Sequence, residues 1–364
     1  MTPSEQAAHL SGMDELLLSW YVQNRRSLPW RENRDPYRIW VSEIMLQQTR
    51  AETVKPYFLR FMEVLPTVQA LAEAEEAVLL KLWEGLGYYS RVRNLQKAAR
   101  IVMTEYGGRV PTDFDTLLSL PGVGRYTAGA IASMAYDLPV PAVDGNVLRV
   151  MARLMGYEEN VLLPATKTYV EQTVEKLVPA RAGDFNQALI ELGATVCLPA
   201  KEARCASCPL ALLCEAFRRG EETVARLPVR VKNTTRRIEQ RTVLILIDEQ
   251  GRIAVRKRPD KGLLAGLYEF PNTDGFFDPE GVSAYLRGQG FDLRGTPIRL
   301  PDARHLFSHI EWQMQGYAVP VAACEMQDCL FVTQDELKRE YAIPSAFSAY
   351  RKWVMDSNKS DFWL

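Results

Sequence analysis

The chain has 364 residues, 47% hydrophobic and 24% charged, with a formal net charge of −1, so it accommodates about two domains of ordinary globular composition and carries no global basic field for nucleic acid. Residues 1–12 are polar and lack the apolar core of a signal peptide, and no run approaches the roughly 20 apolar residues of a membrane span; a reducing cytoplasm is expected, where clustered cysteines favour metal over disulfides. The three histidines, His9, His305 and His309, leave residues 10–304 without one, which excludes a histidine-dependent triad or metal site there.

Residues 14–25 place Leu16, Leu17, Leu18, Trp20 and Tyr21 at helical spacing. Asp35 reads as an N-cap and Pro36 as the first residue of a helix running to about residue 47. Helical patterns follow at 52–63, 75–84, 92–106, 114–118, 126–136, 147–155, 166–177 and 185–196, with Gly or Pro in the connections. From Arg218 to Arg241 eight Lys/Arg stand against three acids: a solvated linker, or one that follows DNA phosphates. Residues 242–248 then read as a strand, Glu249-Gln250-Gly251 as a turn and 253–257 as the returning strand of a hairpin. A helix near 279–288 and strands at 297–300, 311–319 and 321–325 complete an α+β C-terminal domain. The chain has no internal repeat and no low-complexity segment.

Four of the six cysteines, Cys197, Cys205, Cys208 and Cys214, lie within eighteen residues. Their spacing suits a zinc knot or an iron–sulfur cluster equally, with a pair of disulfides as the plain alternative. The string Leu120-Pro121-Gly122-Val123-Gly124-Arg125-Tyr126-Thr127 joins two helical runs. Its glycines allow left-handed dihedrals, and the N–H groups entering the next helix suit a phosphate. It resembles the helix–hairpin–helix motif. Asp144, in Pro141-Ala142-Val143-Asp144-Gly145-Asn146, reads on its own as an N-cap.

Hairpin, Asp and four cysteines, in this order, resemble the helix–hairpin–helix DNA glycosylase superfamily in its iron–sulfur branch, over about residues 13–217. The resemblance implies that Asp144 stabilises the oxocarbenium-like sugar as a base departs. It also implies that Cys197, Cys205, Cys208 and Cys214 hold a [4Fe–4S] cluster. The first cysteine spacing has seven intervening residues where six are typical. Gly122, Val123 and Gly124 would contact DNA. Endonuclease III-like members carry Lys at Tyr126; a phenol forms no imine, so a monofunctional glycosylase using water is expected, with helix packing as the plain reading of the Tyr.

Glu43 shares a helix face with Ile39, Trp40, Leu46 and Gln47. If those neighbours desolvate it, its pKa rises and it becomes a general acid near neutral pH; otherwise it is a surface Glu. The string Ser-Glu-Ile-Met-Leu-Gln-Gln-Thr around it resembles MutY-type adenine DNA glycosylases. By that resemblance Glu43 protonates N7 of a flipped adenine, and Tyr126 and Asn146 position the polar groups around Asp144. Arg26, Leu28, Trp30, Arg31 and Gln187 match the adenine pocket. Gln48, Thr49, Leu86 and Tyr88 match residues that fill or wedge the duplex, although an aromatic loop is more often core.

The run Gly262–Pro271 (Gly-Leu-Leu-Ala-Gly-Leu-Tyr-Glu-Phe-Pro) resembles a Nudix fold. No Arg-Glu-x-x-Glu-Glu run follows it, so this domain should bind rather than cleave. Phe307, Ser308 and His309 resemble the loop that recognises 8-oxoguanine; packing at a strand end is the plain alternative. Cys324 and Cys329 read as buried thiols.

The fold expected is multidomain: an all-α helix–hairpin–helix glycosylase region with a [4Fe–4S] domain, plus an α+β Nudix-like C-terminal domain. The expected boundaries are 1–29 with 138–217 for the cluster domain, 30–137 for a six-helix barrel, 218–238 for the basic linker and 239–364 for the Nudix-like domain. The resemblance implies a monomer acting on double-stranded DNA with an adenine:8-oxoguanine mismatch, in the cytoplasm at the nucleoid.

Overall fold

The computed structural model describes residues 1–231, 236–322 and 329–357. Helices α1 (Pro3–His9), α2 (Met13–Asn24), α3 (Pro36–Leu46), α4 (Ala51–Val64), α5 (Val68–Glu73), α6 (Glu76–Leu82) and α7 (Ser90–Glu105) open the chain. They are followed by α8 (Phe114–Ser119), α9 (Arg125–Tyr136), α10 (Gly145–Leu154), α11 (Pro164–Glu175), α12 (Ala182–Thr195), α13 (Glu215–Arg218) and α14 (Glu221–Arg226). Strands β1 (Arg237–Ile247), β2 (Ile253–Lys257), β3 (Tyr268–Glu269) and β4 (Asn272–Asp274) precede α15 (Pro279–Gly288). Strands β5 (Ile298–Leu306), β6 (Ile310–Pro320) and β7 (Leu330–Val332) lead to α16 (Gln334–Arg339) and α17 (Ser348–Asp356). A helical region thus precedes an α+β one, as the patterning predicts.

Two compact units result: Met1–Ala74 with Arg93–Lys232, and Glu75–Val92 with Asn233–Leu364. In the first unit, Leu17 and Tyr21 of α2, Val147 and Met151 of α10, and Phe185, Leu189 and Leu192 of α12 share one apolar core, against which Cys197, Cys208 and Cys214 pack. Helix α9 approaches the loop before α10 so closely that a Cβ on Gly129 would stand 2.1 Å from the carbonyl oxygen of Pro141. No side chain fits there, and the contact brings residues 141–144 against the helix that carries Tyr126.

In the second unit, β1 pairs in parallel with β6 from Arg237↔Ile310 to Ile247↔Pro320, and the sheet order is β3-β2-β1-β6-β5. Alternation along β1 sends Val243, Ile245 and Ile247 to a core with Phe347 and Tyr350, and Leu244 and Leu246 to one with Val282 and Leu286 of α15. Glu75–Val92 joins this unit: Lys81 Nζ donates to the Tyr341 carbonyl (3.1 Å), and Glu84 accepts from the Ile343 amide (2.8 Å) and pairs with Arg351 (3.0 Å).

Several boundaries differ from the sequence reading. Strand β1 begins at Arg237 rather than 242, because its polar, exposed first half is held by pairing with β6 and not by burial. Strand β5 extends through Leu306, past an irregularity between Leu300 and Ala303. Of the strand expected at 321–325, Val321 forms a bridge to Leu293, and residues 323–325, with Cys324, lie outside the described residues. Cys329 is half-buried rather than buried. The sequence reading missed α1, whose Thr2–Glu5 capping box starts a helix with little apolar periodicity.

Candidate active site

Asp35 caps α3 by accepting from the Tyr37 amide at 2.9 Å, and Pro36 occupies the first turn. Every residue of this helix from Ile39 to Met45 is buried, and Glu43 is 5% exposed. The Tyr126 hydroxyl, in the first turn of α9, donates to Glu43 Oε2 at 2.5 Å. Burial pushes the Glu43 carboxyl up to about 7; the nearby Asp144 charge adds to this, while the Tyr126 hydrogen bond and the Arg31 charge oppose it. Burial also lifts the Tyr126 phenol well above its ordinary range.

Asp144 is the N-cap of α10. Its Oδ1 accepts from the amides of Asn146 (2.8 Å) and Val147 (2.8 Å), and its Oδ2 accepts from Asn146 Nδ2 (2.8 Å). Burial raises its pKa against these hydrogen bonds and the charge of Arg149, which favour the ionised form. The capping role and a catalytic role are compatible: the cap fixes the carboxylate at the positive end of a helix. Arg149 extends the network, donating to Asn146 Oδ1 (2.9 Å), the Gly193 carbonyl (2.7 Å) and the Cys197 carbonyl (2.8 Å).

One cleft is lined by Glu43, Tyr126, Asp144 and Asn146 together with Arg26, Leu28, Trp30, Arg31, Gln48, Thr49 and Gln187. Trp30 packs edge-on against Phe58 at 5.5 Å, and Gln187 Oε1 accepts from the Tyr21 hydroxyl at 3.2 Å. Gln48, directly after α3, has φ of 60°, a left-handed conformation that a Gln adopts only when its surroundings impose it. The sequence reading missed Glu191, on which both Arg26 and Arg31 are anchored. Its one signal was its place four residues after Gln187 on the same helix face.

Gly122 has φ of 78°, and a Cβ there would stand 2.7 Å from the Asn94 Cβ. Gly124, in contrast, is extended, with φ of −93° and open space around it, and as the N-cap residue of α9 it offers no side-chain cap. Val123 is buried. Gly122→Ala should therefore destabilise the protein by at least about 1–2 kcal/mol, and Gly124→Ala, which loses only an N-cap glycine, by less than about 1 kcal/mol, as read by denaturant unfolding; equal effects would refute the contrast.

Leu86 and Tyr88 belong to the second unit. Leu86 is buried, while Tyr88 is 49% exposed, has φ of 47°, and holds its hydroxyl 3.4 Å from Ser308 Oγ. Phe307 packs between His305 (4.6 Å between centroids) and Trp312 (4.9 Å), and the exposed His309 accepts at its carbonyl from the Arg237 amide (3.0 Å). Much of the basic stretch is turned onto carboxylates: Arg218 and Arg219 onto Glu215, Arg226 onto Glu158, and Arg237 and Arg241 onto Glu239. Arg230 lines the cleft.

Cys197, Cys205, Cys208 and Cys214 are free, half-buried and disposed around one apolar recess with Val150, Leu154 and Leu192. Burial pushes the Cys208 thiol up to about 12 and raises Cys205 and Cys214. The buried Arg153 donates to Cys197 Sγ at 3.3 Å and to the Leu198 carbonyl at 2.7 Å. Among the described residues, no three Cys, His, Asp or Glu side chains form a group that could hold a single metal ion.

Residues 41–180 match the model of the HhH-GPD superfamily of base excision DNA repair proteins, and residues 242–352 match the NUDIX domain. The adenine DNA glycosylase of Rattus norvegicus is 39% identical over 360 residues, covering 83% of this chain and 69% of that protein. The adenine DNA glycosylase of Buchnera aphidicola subsp. Schizaphis graminum is 36% identical over 301 residues, covering 81% of this chain and 84% of that protein. Among solved structures, a thermostable thymine-DNA glycosylase superposes with a TM-score of 0.53 at 30% identity, over 58% of this chain and 98% of that one.

Proposed function

The chain belongs to the adenine DNA glycosylase family, and from that premise we propose that it hydrolyses the N-glycosidic bond of adenine paired with 8-oxoguanine or guanine in duplex DNA, as a monofunctional enzyme. The observation that carries this reading is Glu43, buried and hydrogen-bonded by Tyr126, in one cleft with Asp144.

With a pKa of about 7, Glu43 carries a proton in roughly half of the molecules at neutral pH and delivers it to N7 of an adenine turned out of the stack. The C1′–N9 bond then breaks with its electrons passing to the protonated base. Asp144, fixed by its three hydrogen bonds, faces the cationic sugar, and water completes the hydrolysis. Two carboxylates with different surroundings thus take an acid role and a stabilising role. Asn146 orients Asp144, and Arg26, Leu28, Trp30, Arg31 and Gln187 form the base pocket. Gln48, Thr49, Leu86, Tyr88 and the Gly122–Gly124 turn would engage the duplex. Phe307, Ser308 and His309 would read the opposing 8-oxoguanine.

The cysteines fit a [4Fe–4S] cluster: four free thiols open on one apolar recess, with Arg153 donating to the sulfur of Cys197. Cys197, Cys205, Cys208 and Cys214 would hold the cluster, which would cross-link the 197–214 segment to itself. Among the described residues no helix is long and apolar enough to cross a membrane; the enzyme would act as a monomer on double-stranded DNA, at the nucleoid in the cytoplasm.

The test is single-turnover release from a duplex with one adenine opposite 8-oxoguanine. Strand breaks should appear only after alkali, because Tyr126 offers no amine for an imine. Breaks without alkali would refute monofunctionality, and release of thymine instead of adenine would refute the base assignment.

A further inference from the structure

Glu191 stands one turn beyond Gln187 on α12, with its side chain 0% exposed. Its Oε1 accepts from the Arg26 amide (3.1 Å) and Arg26 Nε (2.6 Å), its Oε2 accepts from Arg26 Nη2 (3.0 Å), and Arg31 Nη2 forms an ion pair with Oε2 at 2.9 Å. Arg31 Nη1 donates in turn to the Arg26 carbonyl at 3.4 Å. Two cations share one anion, so the group presents one net positive charge. Both guanidiniums also line the cleft that holds Glu43, so the triad is more than a buried structural pair. Burial pushes the Glu191 carboxyl up, but Arg26 and Arg31 more than offset this and hold it below its ordinary value. Tyr21, Arg25, Asp184 and Glu52 are the other titratable groups that act on or around the triad. Glu43 is faced by Tyr126, Asp144 and Arg31, and the Arg31 charge opposes the effect of burial on it.

We propose that Glu191 is a positioning residue for base excision: it fixes Arg26 and Arg31 as one wall of the base pocket and cancels one of their two charges beside the general acid. This rests on the excision chemistry above. Without Glu191 the wall carries two net charges, which favour ionised Glu43 and deplete the acid at neutral pH.

The test is the pH dependence of single-turnover adenine release by the full chain. In E191Q the limb that falls with rising pH should move to lower pH by about one unit. In R26Q, where the wall becomes neutral, it should move to higher pH. In the double variant R26Q/E191Q the wall again carries one charge and the limb should return to its wild-type position. Comparing R26Q with the double variant isolates the Glu191 charge even where E191Q is too unstable to assay. A uniform loss of rate with the limb in place, or coincident limbs for R26Q and the double variant, would overturn the proposal and leave Glu191 a prop of the fold. Absence of adenine release by the wild type would overturn the excision reading instead, and this proposal with it.

Discussion

Glu43→Gln should lower single-turnover adenine release by about 10²–10⁴-fold while leaving duplex binding within a few-fold of wild type. The amide keeps the shape of the carboxyl and still accepts from the Tyr126 hydroxyl, which stands 2.5 Å from Glu43 Oε2. What it lacks is a transferable proton. The wild-type rate should fall as pH rises through about 7, where Glu43 loses that proton, and the variant should show no such limb. Rapid-quench release and equilibrium binding separate chemistry from affinity; release near the wild-type rate would remove Glu43 from the acid role.

Asp144→Asn should cost about 10²–10³-fold in release, or more, because a neutral amide no longer faces the developing sugar cation. The remaining oxygen can still accept from the amides of Asn146 and Val147, so α10 stays capped and the melting temperature should change little. The other half of the new amide meets Asn146 Nδ2, donor against donor, where the carboxylate accepted at 2.8 Å. Asn146 must then turn, and its bond to Arg149 weakens. Asp144→Ala is the contrasting case: it loses charge and cap together, with about 1 kcal/mol of stability. Full activity in the Asn variant, checked by the same release assay, would remove the charge from the mechanism.

The helices were legible where local chemistry declares them. Asp35 and Pro36 mark the start of α3 without reference to anything distant, and Gly or Pro marks most connections. Strand β1 shows the limit: Arg-Ile-Glu-Gln-Arg carries no apolar alternation, and only its eleven-residue pairing with β6 makes it a strand. Glu43 and Tyr126, 83 residues apart, meet because α3 packs on α9, a tertiary fact that no window of sequence contains. The family resemblance stood in for that contact. It offered nothing for Glu191, whose partner Arg26 is 165 residues away and which reads locally as one more helical Glu. At the hairpin the pattern allowed a left-handed glycine at either end of Val123, and only Gly122 adopts that conformation.

The burial of Glu43 bears on how such a chain drifts. Its carboxyl has a pKa of about 7 in the folded state against an ordinary 4.5, so the stability it contributes at low pH is lost as pH rises through about 7. Above that, the native core holds a dry anion at a disadvantage on the order of 3 kcal/mol. Gln at this position escapes the penalty. A lineage freed from selection on excision would therefore discard its acid early and become a sturdier protein by doing so. Among adenine-excising relatives, a chain lacking this Glu should then be read as a retired catalyst with its fold intact.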